Sequence, residues 1–118
     1  MKLKRATIVV SADPRKSGRA AEAVRIAAGV GGWEKVEVKL CLVADARRIL
    51  AETVDDLVNG EVFENYLPLL AEGESRLYVV EGPRRLKLPR DERYAQVPTI
   101  GVKDLAEICR EGDLVLRF

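Results

Sequence analysis

Histidine is absent from this chain of 118 residues, and cysteine occurs only at Cys41 and Cys109. Without an imidazole there is no obvious general base for a serine or cysteine nucleophile, so a triad-type hydrolase is not expected. Two cysteines without histidine also give too few soft ligands for a zinc site, and we expect no metal. Both thiols lie in apolar segments, which favours reduced cysteines over a disulfide framework.

Long hydrophobic runs are also missing. No apolar stretch approaches the roughly 20 residues of a membrane span, and the N-terminus MKLKRATIVV lacks the pattern of a cleavable signal. We therefore expect a cytoplasmic protein with no membrane partner. The 20 Lys and Arg residues nearly balance the 19 Asp and Glu residues, which argues against a general nucleic-acid-binding surface.

Amide side chains are scarce, since they occur only at Asn59, Asn65 and Gln96, whereas charged residues make up 33% of the chain. This balance resembles that of proteins from hot environments. It predicts a thermophilic source and a melting midpoint above the ordinary mesophile range.

Short apolar runs alternate with longer amphipathic segments along the chain. The runs RATIVVSA, KVEVKLCLVAD, SRLYVVEG, VPTI and DLVLRF are typical of strands. Helical spacing predicts helices over 13–32, 46–58, 61–73 (broken at Pro68) and 101–112, the last with Leu105, Ile108 and Cys109 facing inward. The charged segment PRRLKLPRDERYAQ has no clear period and is expected to form the most mobile loop.

This order of elements predicts the fold class. Parallel strands need crossover connections, and strands that alternate with helices provide them. We predict a single α/β domain over 1–118, a three-layer sandwich with a mainly parallel five-stranded sheet and helices on both faces.

Cationic side chains follow the predicted strands at the point where each strand ends. Ligands of an open parallel sheet bind beyond these ends, where helix N-termini add backbone donors and a positive dipole end. The sequence therefore predicts a site for a small anion, such as phosphate, sulfate or carboxylate. Its candidate residues are Arg15, Arg47, Arg48, Arg84 and Arg85. The alternative is that these arginines form only solvated ion pairs with neighbouring carboxylates. No phosphate-loop or dinucleotide motif occurs, and we expect no cofactor.

The two thiols differ in their predicted settings. Cys41 lies between Leu40 and Leu42 in the second strand, where a cysteine is most often a small buried hydrophobe. Cys109 lies late in the last helix and is expected to be partly exposed, although a helix C-terminus does not lower a thiol pKa. If the chain uses a thiol catalytically, Cys109 is the first candidate.

The order of elements, together with RATIVVSADP, VEVKLCLVADARRILA, LYVVEG and VPTIGVKDLAEICREGDLVLRF, resembles the DsrE/DsrF/DsrH-like family of small sulfur-relay domains. The resemblance spans nearly the whole chain. It implies a three-layer α/β fold, homo-oligomers and, in some members, a cysteine after the third strand that accepts persulfide sulfur. The matching position here is Val80 or Glu81, so the usual sulfur-carrying cysteine is missing.

We therefore expect a DsrE/F-like protein that is a non-catalytic anion-binding, ligand-binding or scaffold subunit linked to sulfur relay, rather than an enzyme. Its expected partners are further copies of itself and other sulfur-relay proteins. The alternative function is a persulfide carrier or sulfurtransferase that uses Cys109 or Cys41. A third interpretation is an oligomerisation module whose apolar residues meet a partner subunit; these are Phe63, Tyr66, Leu69 and Phe118.

Overall fold

Five parallel strands form one sheet in the computed structural model, which describes residues 4–33, 35–72, 76–89 and 91–118. The strands are β1 (Lys4–Val10), β2 (Val36–Leu42), β3 (Leu77–Val80), β4 (Thr99–Ile100) and β5 (Leu114–Arg117). Their order across the sheet is β4-β3-β2-β1-β5, and every pairing is parallel. The predicted five-stranded parallel sheet is therefore confirmed. The predicted third strand also included Ser75, which lies outside the described residues.

Within the described ranges, three α-helices and three short 3₁₀ helices connect the strands. The α-helices are α1 (Arg19–Gly31), α2 (Gly60–Ala71) and α3 (Val102–Glu111), and the 3₁₀ helices cover Ala44–Leu50, Val54–Asp56 and Glu92–Tyr94. Among the residues that the structure describes, no helix has the length and apolar composition needed to cross a membrane.

The two faces of the sheet are covered unequally. The chain moves from β1 to β4 in one direction and then returns to β5 beyond β1, so right-handed crossovers place α1 and α2 on one face and α3 on the other. The main core lies under α1 and α2, where buried strand residues such as Ile8 and Leu40 join Val24 and Phe63. Because strand side chains alternate, Cys41 faces α3.

Helix α3 covers its face only in part. Leu105, Ile108 and Cys109, which were expected to face inward, are half-buried, and no residue of α3 is fully buried. The predicted helix is confirmed, and helices on both faces complete the three layers.

The single helix predicted over 46–58 is wrong, because two 3₁₀ helices occupy this region instead. Ala44 has a left-handed backbone with φ 51°, and Arg47 Nε donates to the Ala44 carbonyl at 2.9 Å. Farther along, the Thr53 hydroxyl donates to the Asp56 carboxylate at 2.7 Å. Such local bonds compete with the regular helix ladder and so divide the segment.

The break predicted at Pro68 is also wrong. Helix α2 continues through this residue to Ala71, and Pro68 accepts a hydrogen bond from the N–H of Glu72 at 3.0 Å. Proline lacks the donor that would reach back one turn to Glu64. Leu67 and Leu70, on either side of it, are both buried in the core, and this packing stabilises the helix across the missing bond.

Candidate anion-binding cleft

A cleft of about 570 Å³ lies beyond the carboxyl ends of β3 and β4, next to the start of α3. Three of the arginines predicted to bind an anion line it: Arg47, Arg84 and Arg85. In its described lining the only acidic residue is Glu81. The cleft is therefore a cationic cavity at the edge where parallel sheets bind ligands.

Arg47 is the most constrained of these arginines, since only 6% of it is exposed. Its Nε donates to the Ala44 carbonyl, and a β-carbon on Gly82 would lie 3.6 Å from its Cζ and Nη2 atoms. No carboxylate among the described residues forms an ion pair with it. Its terminal nitrogens also have no acceptor among those residues. No buried side-chain nitrogen or oxygen of the described residues lacks a hydrogen-bond partner, so these terminal nitrogens reach the surface and can donate to an anion that enters the cleft.

The backbone that positions Arg47 is itself strained. Ala44 lies two residues after the end of β2 and adopts the left-handed region, which is uncommon for a residue other than glycine. The turn aims its carbonyl at Arg47 Nε, which fixes one edge of the guanidinium. Strained backbone of this kind is frequent at binding sites.

Arg84 and Arg85 lie on the exposed rim of the cleft, after Pro83. Neither pairs with a carboxylate within the described part of the chain. Glu81 instead approaches the start of α3, where a β-carbon on Gly101 would lie 3.3 Å from its Oε1. The positive end of the helix favours the carboxylate there.

The other two predicted arginines lie outside this cleft and are paired with carboxylates. Arg15 binds Asp13 through two nitrogens, Nε at 3.1 Å and Nη2 at 2.8 Å. These hydrogen bonds lower the pKa of Asp13 to about 2. Arg48 reaches Asp45 at 3.4 Å and Glu52 at 3.3 Å. The structure thus separates the five arginines into three in the cleft and two in ion pairs.

Neither thiol lines the cleft. Cys41 is fully buried, and this burial, with a smaller contribution from the Cys109 thiol, raises its pKa to about 12. Cys109 is half-buried in α3. At the position where the family resemblance implies a sulfur-carrying cysteine, Val80 is buried and Glu81 faces the cleft.

The sequence did not predict the apolar part of the cleft lining, which includes Leu86, Leu88 and Val102. In the sequence, Leu86 and Leu88 flank Lys87, and this short alternation of apolar and polar residues is the signal that could have indicated the apolar lining. Leu88 and Tyr94 also pack on the core, so the charged loop is anchored at two points. Arg90 of this loop lies outside the described residues.

A second pocket, of about 430 Å³, lies between α2 and the loop that carries Tyr94. Its polar lining is largely acidic and includes Asp55, Glu64 and Asp91. Arg93, also in the lining, is paired with Asp91 at 2.8 Å. The excess of carboxylates in the lining makes this pocket a poor site for an anion.

Comparison with known protein families and with curated proteins gives no match to this chain. The residues that bear on function are therefore those whose chemistry the structure brings together. The cleft around Arg47 is the strongest such group.

Proposed function

We propose that this protein is a non-catalytic α/β subunit that binds a small anionic ligand in the cleft of Arg47, Arg84 and Arg85. The observation that carries the proposal is the position of Arg47: its side chain is held by the protein, has no described carboxylate partner, and lines the cleft. An anion would supply the acceptors and the opposite charge that the terminal nitrogens of Arg47 lack among the described residues. The proposal assigns the protein to the DsrE/F-like sulfur-relay proteins on the strength of the sequence resemblance.

The geometry supports a ligand with one anionic group. Because Nε of Arg47 is occupied by the Ala44 carbonyl, its two terminal nitrogens remain to donate to two oxygens of a phosphate, sulfate or carboxylate. Arg84 and Arg85 add charge at the rim, while Leu86 and Leu88 offer contacts for an apolar portion. The proposed ligand is therefore a small, partly apolar anion.

A binding role fits the thiols better than sulfur transfer does. A persulfide carrier needs a thiolate, and the buried Cys41, with its pKa raised to about 12, is not ionised near neutral pH. The alternative carrier function therefore depends on Cys109. The proposal further includes a cytoplasmic location, self-association and contact with other sulfur-relay proteins, all of which rest on the sequence and its resemblance.

Calorimetric titration at low salt tests the anion site. Inorganic phosphate and sulfate are the probes, and we expect both to bind the parent protein. The double variant Arg84→Ala/Arg85→Ala should raise Kd by about tenfold or more, because each charge-assisted contact contributes roughly 1.5–3 kcal/mol. Both side chains are exposed, so the variant should remain folded.

The matched control is Arg19→Ala/Arg25→Ala, which removes the same charge from exposed positions of α1. We expect its Kd to stay within about twofold of the parent, since these residues lie outside the cleft. Absence of binding by either probe, or equal weakening in the two double variants, would contradict the proposal.

A further inference from the structure

Strand β5 forms an unprotected edge of the sheet. It pairs with β1 on one side, and no described strand pairs with its other side. Leu114 and Val115 are 53% and 37% exposed. Edge strands are usually protected by shortness, lysine, proline or a covering element. The opposite edge, β4, is only two residues long, whereas β5 is a four-residue LVLR segment without lysine or proline.

The backbone of β5 offers free hydrogen-bonding groups on its outer side. Phe118 donates to Val9 and accepts from Ser11, both at 2.9 Å, so its peptide groups face β1. Backbone groups alternate in direction along a strand. The N–H and C=O groups of Leu116 therefore also face β1, while those of Val115 and Arg117 point outward. Asp113, just before the strand, donates to Arg5 at 2.8 Å, so outward pairing would begin at Val115.

The segment 113–117, with the sequence DLVLR, is complementary to itself when read in the opposite direction. If Val115 lies opposite Val115 of another copy, Leu114 faces Leu116 and Asp113 faces Arg117. Arg117 has no ion-pair partner among the described residues. Asp113 uses one carboxylate oxygen to accept from the N–H of Arg5 at 2.8 Å, which leaves the second oxygen for a cross-strand arginine. Asp113 lies in the bend just before β5, so the arginine at the end of one strand would meet the carboxylate at the start of the other, and opposite charges there favour the pairing.

We propose that β5 pairs antiparallel with β5 of a second copy, with Val115 on the twofold axis. The two five-stranded sheets then form one continuous sheet, and each interface strand occupies the free edge of the other. The pairing satisfies the outward groups of Val115 and covers Leu114. This inference specifies the self-association in the proposed function but does not depend on anion binding, so the two can fail separately.

Sedimentation velocity across a micromolar concentration range tests the interface. We expect a dimer for the parent and a monomer for Val115→Pro. Proline removes the donor on the twofold axis but breaks no β1 bond, because the N–H of Val115 faces outward. Arg117→Glu should raise the dimer Kd by about tenfold or more, since it places carboxylates opposite each other. Circular dichroism and thermal melts report whether each variant remains folded.

Leu69→Lys is the control, because Leu69 is 52% exposed on α2 and belongs to the apolar set that the sequence suggested for oligomer contacts. The dimer Kd of this variant should match that of the parent. A parent that remains monomeric would overturn the proposal. Dissociation by Leu69→Lys, with folded Val115→Pro and Arg117→Glu variants still dimeric, would overturn it as well and would place the interface on α2.

Discussion

A β-carbon on Gly82 would lie 3.6 Å from Cζ of Arg47, so the guanidinium packs against the backbone at the end of β3. A second backbone contact holds the guanidinium at Nε, which donates a hydrogen bond to the Ala44 carbonyl. The cation is thus held between two backbone segments, and no described carboxylate neutralises it. The surrounding protein desolvates the cation in part, and a bound anion would offset that cost.

Arg47→Met should therefore leave the free energy of unfolding unchanged or raise it by about 1 kcal/mol, because methionine fills similar space without a charge. Millimolar sulfate should stabilise the parent but not the variant. Urea unfolding with and without sulfate measures both effects. Arg48→Met is the control: it leaves Asp45 and Glu52 unpaired but keeps the cleft, so it should respond to sulfate like the parent. Equal sulfate responses in both variants would contradict the assignment of the site to Arg47.

Asp13 should make stability depend on pH in the acid range. Hydrogen bonds from Arg15 lower its pKa from 3.8 to about 2, so the folded state favours the ionised carboxylate. The resulting stability is present above the unfolded pKa of 3.8 and is lost as pH falls through about 2. Because Arg15 is 38% exposed, solvent screening keeps this contribution small.

The variant Asp13→Asn isolates this contribution. Its free energy of unfolding should lie below that of the parent at about pH 6 and approach the parent value near pH 2. Urea unfolding over this pH range provides the measurement. If the difference in free energy of unfolding between Asp13→Asn and the parent stays constant with pH, the charge of the carboxylate is not the cause of the stabilisation.

The two cysteines should differ sharply in reactivity. Cys41 is fully buried with a pKa raised to about 12, whereas Cys109 is half-buried. A thiol reagent at neutral pH should therefore label the folded protein only at Cys109, and Cys41 only after denaturation. Intact mass measurements of the parent and Cys109→Ser test this. A rapid adduct on folded Cys109→Ser would contradict the burial of Cys41 and revive its role as a sulfur carrier.

Gly60 begins α2 in direct contact with the Val54 carbonyl, and a β-carbon at this position would overlap that oxygen. Gly60→Ala should lower the free energy of unfolding by about 1–3 kcal/mol, because the close approach leaves no room for a methyl group. The matched control is Gly29→Ala in α1, where a β-carbon meets no atom within 4 Å. This change should stabilise by about 0.5–1 kcal/mol. Chemical denaturation compares the two, and equal effects would refute the steric argument.

The sheet could be predicted from the sequence because apolar runs and helical spacing alternate regularly. The choice between Arg47 and Arg48 could not be predicted, since the two are adjacent and have the same chemistry. A left-handed residue at Ala44 and 3₁₀ geometry turn Arg47 into the cleft and leave Arg48 with its carboxylates. This local conformation depends on tertiary packing, which overrides the helical pattern over 46–58.

The same limit applies to α2, where proline chemistry predicts a break. Burial of Leu67 and Leu70 outweighs the lost hydrogen bond, and a sequence pattern does not report the strength of that packing. The charged loop gives the opposite case. The loop is largely polar, so its sequence pattern does not indicate that Leu88 and Tyr94 pack on the core. This packing brings Arg84 and Arg85 to the rim of the cleft.

The position of β1 between β2 and β5 has a consequence for synthesis on the ribosome. β1 can pair with β2 early, but the partner for its other edge is distant, since the bond from Arg5 to Asp113 joins residues 108 positions apart. Until β5 emerges, the nascent chain exposes an apolar central strand along one whole edge. Such an edge can pair with other chains. Docking of β5 therefore covers this edge of β1 and ends the interval in which it can pair with other chains.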